Sequence, residues 1–163
     1  MIPRKKLKIA VSACLIGLKY RYDGTSKMNM TIIDAFRDRA DFIPVCPEIE
    51  CGLLVPRPPM HLEVSSKGTR IKITESGEDV TEQMREWGLC KLDKLARLDI
   101  DAYIFKARSP SCGLKSTKIC NAAGRCINEN GNGIFTAMVL RSFPKLRVCQ
   151  EDDFQSVLEC FLD

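Results

Sequence analysis

Cys112 lies in a turn whose composition suits a reactive or metal-binding thiolate. The turn is Ser-Pro-Ser-Cys-Gly over residues 109–113, and it follows the short apolar run 103–105. Thiolates are both nucleophiles and metal ligands, and nearby positive charge lowers the pKa of a cysteine. Three basic residues flank this turn: Lys106, Arg108 and Lys115. The turn therefore predicts either a nucleophilic cysteine or a metal ligand.

Two other cysteines end short apolar runs in the same way. Cys14 follows the run at residues 7–13, and Cys46 follows the run at residues 41–45. Such runs, rich in small and β-branched residues, are typical of buried strands in a parallel sheet. The carboxyl ends of parallel strands share one edge of the sheet, where ligands usually bind. We therefore expect Cys14, Cys46 and Cys112 to lie close together.

Three thiolates from three loops can hold an iron–sulfur cluster and leave one iron without a protein ligand. A structural zinc site more often has four ligands in Cys-x-x-Cys pairs, and the chain has no such pair. Buried cysteines that only fill the core are an equally good interpretation of the spacing alone. Cys51 is a minority candidate for a spare ligand. Cys120 and Cys126 could form a second metal site or a redox pair, but their spacing favours incidental thiols. Three cysteines fall in helical or strand patterns and indicate packing: Cys90, Cys149 and Cys160.

Several polar residues near these cysteines are candidates for proton chemistry. Glu48 follows Cys46 in a proline-stiffened turn and can act as a general base, although its position alone favours a solvated surface carboxylate. Ser109 and Ser111 can hold a substrate or cap the turn. His61 has no acid or nucleophile nearby in the sequence, which indicates a surface role. The glycines of residues 131–133 precede a predicted helix, whose first N–H groups can cradle an anion.

Composition restricts the class of protein. The 163 residues predict a single domain, residues 1–163. Apolar residues make up 45% and charged residues 28%, which is an ordinary globular balance. The net charge is +4 and the basic residues are not concentrated on one face, so a nucleic-acid partner is not favoured. The odd count of nine cysteines indicates a reducing compartment, and we predict a cytoplasmic protein. The apolar run before Cys14 is too short for a signal peptide, and no run is long enough for a membrane span.

Periodicity predicts an α/β fold: a single-domain layered structure with a mainly parallel sheet of about five strands, flanked by helices. Residues 113–130 look polar and irregular. The predicted strands are 7–13, 41–46, 70–74 (pairing with 62–64), 101–105 and 146–148. The predicted helices are 27–39, 81–97, 134–142 and 152–161.

The cysteine motifs together resemble those of the thiouracil desulfidase family, formerly a domain of unknown function. The matching blocks are residues 12–17 (Ser-Ala-Cys-Leu-Ile-Gly), 21–24 (Arg-Tyr-Asp-Gly), 45–48 (Val-Cys-Pro-Glu), 52–53, 56–57 and 109–113, and the start of the helix at 131–140 is similar to the family's last block. The blocks occur in the family's order and span nearly the whole chain. Cys51 before Gly52, and Glu63 placed slightly late, depart from the family pattern.

The resemblance implies a 4Fe-4S cluster bound by Cys14, Cys46 and Cys112, with one open iron. It also implies an enzyme that removes sulfur from a small thiolated pyrimidine, such as a 2-thiouracil-like base, or from a related thioamide. The products would be the oxo compound and hydrogen sulfide.

The resemblance also assigns roles to polar residues. Glu48 becomes a candidate water activator or proton carrier, and Ser109 and Ser111 become candidate catalytic residues. Arg57 and Ser109 become candidate substrate-binding residues. Two other functions remain open at this point: a non-catalytic iron–sulfur or zinc-binding protein that carries or senses sulfur, and a tRNA thiouridine desulfidase that needs a partner.

Overall fold

A parallel sheet carries the predicted cysteine loops. In the computed structural model, which describes residues 4–161, four strands form this first sheet in the order β2-β1-β5-β8, and all neighbours run parallel. Its strands are β1 (Leu7–Ser12), β2 (Ala40–Val45), β5 (Ala102–Phe105) and β8 (Arg147–Gln150). β5 is buried along its whole length because helices cover both faces of this sheet.

A second four-stranded sheet has the order β4-β3-β6-β7. Its strands are β3 (Met60–Ser65), β4 (Gly68–Ile73), β6 (Thr117–Cys120) and β7 (Cys126–Gly131). The β3–β4 and β6–β7 pairs are antiparallel hairpins, while β3 and β6 run parallel. The α/β fold class is therefore confirmed, with the strands divided between two sheets.

Helices pack on both faces of the first sheet. Ile9 and Val11 face a core that includes residues of α1 and α5, whereas Ala10 faces a core that includes residues of α3 and α4. The helices are α1 (Met30–Phe36), α2 (Pro47–Glu50), α3 (Thr81–Leu98), α4 (Ile134–Ser142) and α5 (Gln155–Glu159). Among residues 4–161, no helix is both long enough and apolar enough to cross a bilayer.

Three sequence predictions about elements were wrong in detail. Residues 113–130 are not irregular, because they contain the β6–β7 hairpin, whose outer strand is almost fully exposed and so lacks apolar alternation. The helix predicted at 27–39 begins only at Met30. Asn29 caps this helix, because its side chain accepts a hydrogen bond from the Ile32 N–H at 3.1 Å. The closing helix is limited to Gln155–Glu159.

Candidate functional site

The three predicted cysteines line one cavity of about 380 Å³ at the carboxyl edge of the first sheet. Cys14 lies in the 3-10 turn Ala13–Ile16 directly after β1, and Cys46 directly follows β2. Cys112 lies in the loop after β5, which is the other neighbour of β1. The parallel order of these strands brings the three loops together, as the sequence predicted. We call this space the cysteine cavity.

Cys46 is fixed at the start of α2. Its backbone N–H donates to the Glu50 carboxylate at 2.8 Å, and the other oxygen of that carboxylate accepts from Lys91 at 2.7 Å. Pro47 occupies the first turn of α2, where a missing N–H costs nothing. The Cys-Pro-Glu motif therefore folds as a one-turn helix that holds Cys46 at its entrance.

The Cys112 loop is held from within by Ser109. The Ser109 hydroxyl oxygen accepts from the backbone N–H groups of Ser111, at 3.3 Å, and Cys112, at 3.1 Å. The Ser109 carbonyl accepts from the Gly113 N–H at 2.8 Å. Ser109 thus acts as a turn cap, which was one of the two roles that the sequence allowed.

Helix α4 holds the same loop from outside. The N–H groups of Ile134 and Phe135 donate to the carbonyls of Pro110, at 3.0 Å, and Ser111, at 3.1 Å. These contacts overturn the anion cradle considered for residues 131–133, because the loop carbonyls already occupy the first N–H groups of the helix. A Cβ atom at Gly133 would stand 2.4 Å from the Ser111 carbonyl carbon, so only glycine permits this approach.

Gly133→Ala is expected to destabilise the protein by about 1–3 kcal/mol, because the clash involves backbone that cannot move freely. Urea unfolding measures this change. Gly88→Ala is the matched control: its new Cβ would come too close only to the flexible end of Met138, with Phe135 at an ordinary contact distance of 3.5 Å. Alanine is also favoured in a helix, so we expect a change below about 1 kcal/mol. Equal losses in both variants would contradict this account of α4 and the loop.

Glu48 is a buried carboxylate with partners on two sides. The Arg57 guanidinium donates to Oε2 through Nε at 2.7 Å and also through Nη2. The Ser111 hydroxyl lies 3.0 Å from Oε1 and donates to it, since a carboxylate only accepts. The solvated-surface interpretation of Glu48 is therefore wrong: its side chain is only 11% exposed, and it lines the cysteine cavity.

The two serines extend this contact into a chain. Ser109 Oγ lies 3.1 Å from Ser111 Oγ. Because the Ser111 proton goes to Glu48, the Ser109 hydroxyl donates to Ser111. The chain of hydrogen bonds therefore runs from Ser109 through Ser111 to Glu48 at the cavity wall.

Most donors of Arg57 are taken by the protein. Besides Glu48, its guanidinium donates to the carbonyls of Tyr20 at 2.9 Å and Leu54 at 3.2 Å. Its backbone N–H donates to the Tyr22 carbonyl at 2.8 Å. Arg57 thus ties the loop before α1 to the loop after α2 and fixes the direction of the carboxylate.

Burial governs the charge of the three thiols. It raises the pKa of Cys46 to about 11, with a smaller effect of the nearby Glu48 charge in the same direction. Burial also raises the pKa of Cys14, although the positive charges of Lys106 and Arg21 act to lower it. The pKa of Cys112 is raised further than that of Cys46, again mainly by burial. In the metal-free protein, burial therefore opposes the thiolate predicted for Cys112 from its basic turn. Metal uptake must therefore release protons from these thiols.

The other cysteines lie away from the cavity. Cys51 does not line the cysteine cavity. Its side chain packs against the core under the second sheet, and its Sγ donates to the Glu48 carbonyl at 3.3 Å. Cys149 lies on β8 and is buried in the core, as predicted. Cys90 and Cys160 are exposed, so the packing role predicted for them is wrong. Within residues 4–161, no group of three His, Cys, Asp or Glu side chains is placed to hold a single metal ion.

Cys120 and Cys126 are cross-strand partners in the β6–β7 hairpin. Directly opposed residues in antiparallel strands have Cα atoms about 4.5–5.5 Å apart, within the range of a disulfide. We expect hydrogen peroxide to join them, with a mass loss of two hydrogens measured on the peptide. Cys126→Ser is expected to prevent this loss, and a hairpin peptide whose two thiols stay reduced under the same treatment would contradict their opposed placement.

Some cavity residues were not predicted from the sequence as functional. Lys106 lines the cavity and pairs with Glu151 at 2.6 Å, and its backbone N–H donates to Ser12 Oγ at 2.9 Å. Tyr20 and Tyr22 also line the cavity and are partly exposed. In the sequence, Tyr22 was marked only by the Arg-Tyr-Asp-Gly block, and Tyr20 lies just before that block. His61 lies on β3 beside Thr74 and Glu63, outside the cavity.

Comparison with known proteins identifies the family. A family model described as 2-thiouracil desulfurase matches residues 9–152, which include all three cavity cysteines and Glu48. The chain belongs to the 2-thiouracil desulfurase family. The family predicted from the cysteine motifs is therefore confirmed.

Two known proteins are similar to this 2-thiouracil desulfurase family member over almost its whole length. The protein YbbK of Bacillus subtilis (strain 168), described as uncharacterized, is 32% identical over 155 residues, 92% of this chain and 99% of YbbK. The solved structure of the 4Fe-4S-dependent thiouracil desulfidase TudS matches with a TM-score of 0.75 and 32% identity. That match covers 95% of this chain and 97% of TudS. The two-sheet α/β architecture is thus shared with TudS.

Proposed function

We propose that this protein is a 4Fe-4S-dependent desulfidase that removes sulfur from a thiolated pyrimidine of the 2-thiouracil kind or from a related thioamide. The observation that carries the proposal is the meeting of three thiols and one buried carboxylate in a single cavity. The family membership and the similarity to the 4Fe-4S-dependent thiouracil desulfidase TudS support the same chemistry.

The residues of the cavity fit an iron–sulfur cluster. Its donor set consists of thiols from three separate loops, Cys14, Cys46 and Cys112, all unpaired by disulfides. The cavity volume of about 380 Å³ lies within the range of small-molecule sites. When bound, the cluster would supply a sulfur-binding Lewis acid, because three cysteine ligands leave one iron free.

Glu48 is the proposed acid–base residue of this site. Its carboxylate lines the cavity and can take a proton from a water molecule that attacks the thiocarbonyl carbon of the substrate. The new carbon–oxygen bond replaces the carbon–sulfur bond, and sulfur leaves as hydrogen sulfide with both protons of the water. No electrons are gained or lost, so this reaction is a hydrolysis.

Arg57 and the two serines prepare Glu48 for this task. The Arg57 contact stabilises the carboxylate and holds it in one orientation, so we propose that Arg57 positions Glu48 more than it binds substrate. Ser111 donates to the carboxylate, and Ser109 supports Ser111. Ser109 is half-buried at the cavity wall, and we propose that it contacts the substrate without a direct hydrogen bond, because its hydroxyl is fully engaged within the loop.

The proposed substrate is a small molecule, and the proposed location is the cytoplasm. All nine cysteines are free, which suits a reducing compartment. A cavity bordered by Tyr20 and Tyr22 suits a flat heteroaromatic ring, since aromatic side chains stack on such rings.

A sulfide-release screen with the anaerobically reconstituted protein tests this function. The panel contains thiopyrimidines, thionucleosides, simple thioamides and thiolated tRNA. We expect catalytic sulfide release from a free thiopyrimidine. An intact cluster without sulfide from any compound would contradict the proposal and support a sulfur carrier or sensor, and release from tRNA alone would support the RNA-directed alternative.

A further inference from the structure

The hydroxyl of Tyr103 is an unpaired polar group in the core. Tyr103 lies on β5, is fully buried, and stacks on Phe105 with ring centroids 4.0 Å apart. Its hydroxyl has no hydrogen-bond partner among the residues that the structure describes. An unpaired buried hydroxyl costs about 1–3 kcal/mol, so its retention calls for a physical reason.

The surroundings of this hydroxyl point to the cysteine cavity. Tyr103 shares a core cluster with Val45 and Cys112. Burial raises the pKa of Tyr103 well above its usual value, and the charges that reinforce the shift belong to Cys112, Glu50 and Cys46. The phenol can donate a hydrogen bond, and the core cluster that holds Tyr103 includes Cys112 and Val45, which directly precedes Cys46.

We propose that Tyr103 donates a hydrogen bond to the thiolate of Cys46 or Cys112 when these residues carry the cluster. This inference rests on the proposed function, because the cluster is what makes the thiolates. A neutral thiol is a weak acceptor, whereas charged acceptors form bonds about twice as strong. The hydroxyl is thus unpaired in the cluster-free protein and paired in the loaded protein.

Such a bond has two measurable consequences. Hydrogen bonds to the sulfurs of a cluster stabilise its reduced form and raise its reduction potential. They also hold the cluster more tightly, since a bond to a charged group contributes on the order of tenfold or more to affinity. Tyr103 would be a positioning and tuning residue, and it would not touch the substrate.

Tyr103→Phe tests the inference, because phenylalanine keeps the ring that stacks on Phe105 and removes only the hydroxyl. In the cluster-free protein we expect Tm to rise by roughly 2–4 °C, since an unpaired buried group disappears. In the loaded protein we expect a more negative reduction potential and about tenfold faster loss of iron to a chelator. The cluster-free form serves as the control for the loaded form.

An unchanged potential and an unchanged rate of iron loss in Tyr103→Phe would overturn the inference, as would a fall in Tm of the cluster-free form. The failure of the proposed function looks different. If the wild-type protein releases sulfide and the variant matches it in potential and iron retention, only the inference fails. If the folded wild-type protein takes up no cluster, the proposed function and the inference both fail.

Discussion

Glu48→Gln is expected to lower kcat for sulfide release by about 10²- to 10⁴-fold while the cluster stays bound. Glutamine has the shape of glutamate, but its single carbonyl oxygen can replace only one of the two carboxylate oxygens, which accept from Arg57 and Ser111, and it cannot take a proton from water. The measurement is sulfide release at saturating substrate, normalised to iron content. Because the substitution also leaves the Arg57 charge buried without its partner, free energies of unfolding are measured in parallel.

Ser111→Ala is the matched comparison for this variant. It removes the hydrogen bond to Oε1 but leaves the carboxylate and its Arg57 partner in place. We expect a loss of about tenfold in kcat, well below that of Glu48→Gln, since one hydrogen bond to a charged group contributes about 1.5–3 kcal/mol at most. A Glu48→Gln enzyme that keeps its cluster and more than a tenth of its kcat would contradict the acid–base role.

Cys112→Ala is expected to abolish both cluster binding and activity. With two thiols left in the cavity, the cluster loses a third of its protein ligands, and iron should fall from about four atoms per chain to nearly none. Iron and sulfide assays, with the absorption of the brown protein, measure this loss.

Cys149→Ala provides the control for a lost buried cysteine. Cys149 is as buried as Cys112, but it lies on β8, packs in the core and does not line the cavity. We expect a modest loss of stability from the small void, with iron content and activity retained. If Cys112→Ala instead kept the full cluster, the assignment of the three ligands would be wrong.

The meeting of the three cysteines could be predicted because it follows from strand order alone. β1, β2 and β5 are adjacent and parallel, so any residues placed just after them meet at one edge. Apolar runs that end at Cys14 and Cys46 are visible in the sequence without knowledge of side-chain contacts. The family resemblance rested on these same residues.

The surroundings of the cysteines could not be predicted, because they depend on contacts between distant segments. Glu48 and Ser111 lie 63 positions apart, and nothing local indicates that their side chains meet. The carboxylate is buried only because Arg57 compensates its charge, so in the sequence alone it looks like a surface residue. The same limit applies to Gly133, whose approach to the Cys112 loop shows only in the folded chain.

The second sheet illustrates a different limit. Residues 126–130 are exposed and mostly polar, so β7 shows no apolar alternation, although it pairs with β6 in an antiparallel hairpin that contains two register shifts. Edge strands of this kind are held by backbone hydrogen bonds and by one neighbour, and side-chain patterning carries little information about them. Cys120 and Cys126 became recognisable as opposed residues only through that pairing.

The most direct test of the central claim is the dependence of activity on cluster content. Preparations of the wild-type protein with graded iron loading would be given 2-thiouracil anaerobically in isotopically labelled water, without any electron donor. We predict a rate proportional to cluster content, equal amounts of uracil and hydrogen sulfide, and the label in the new carbonyl of uracil. Turnover by the iron-free protein, or a requirement for an electron donor, would contradict a cluster-dependent hydrolytic desulfidase.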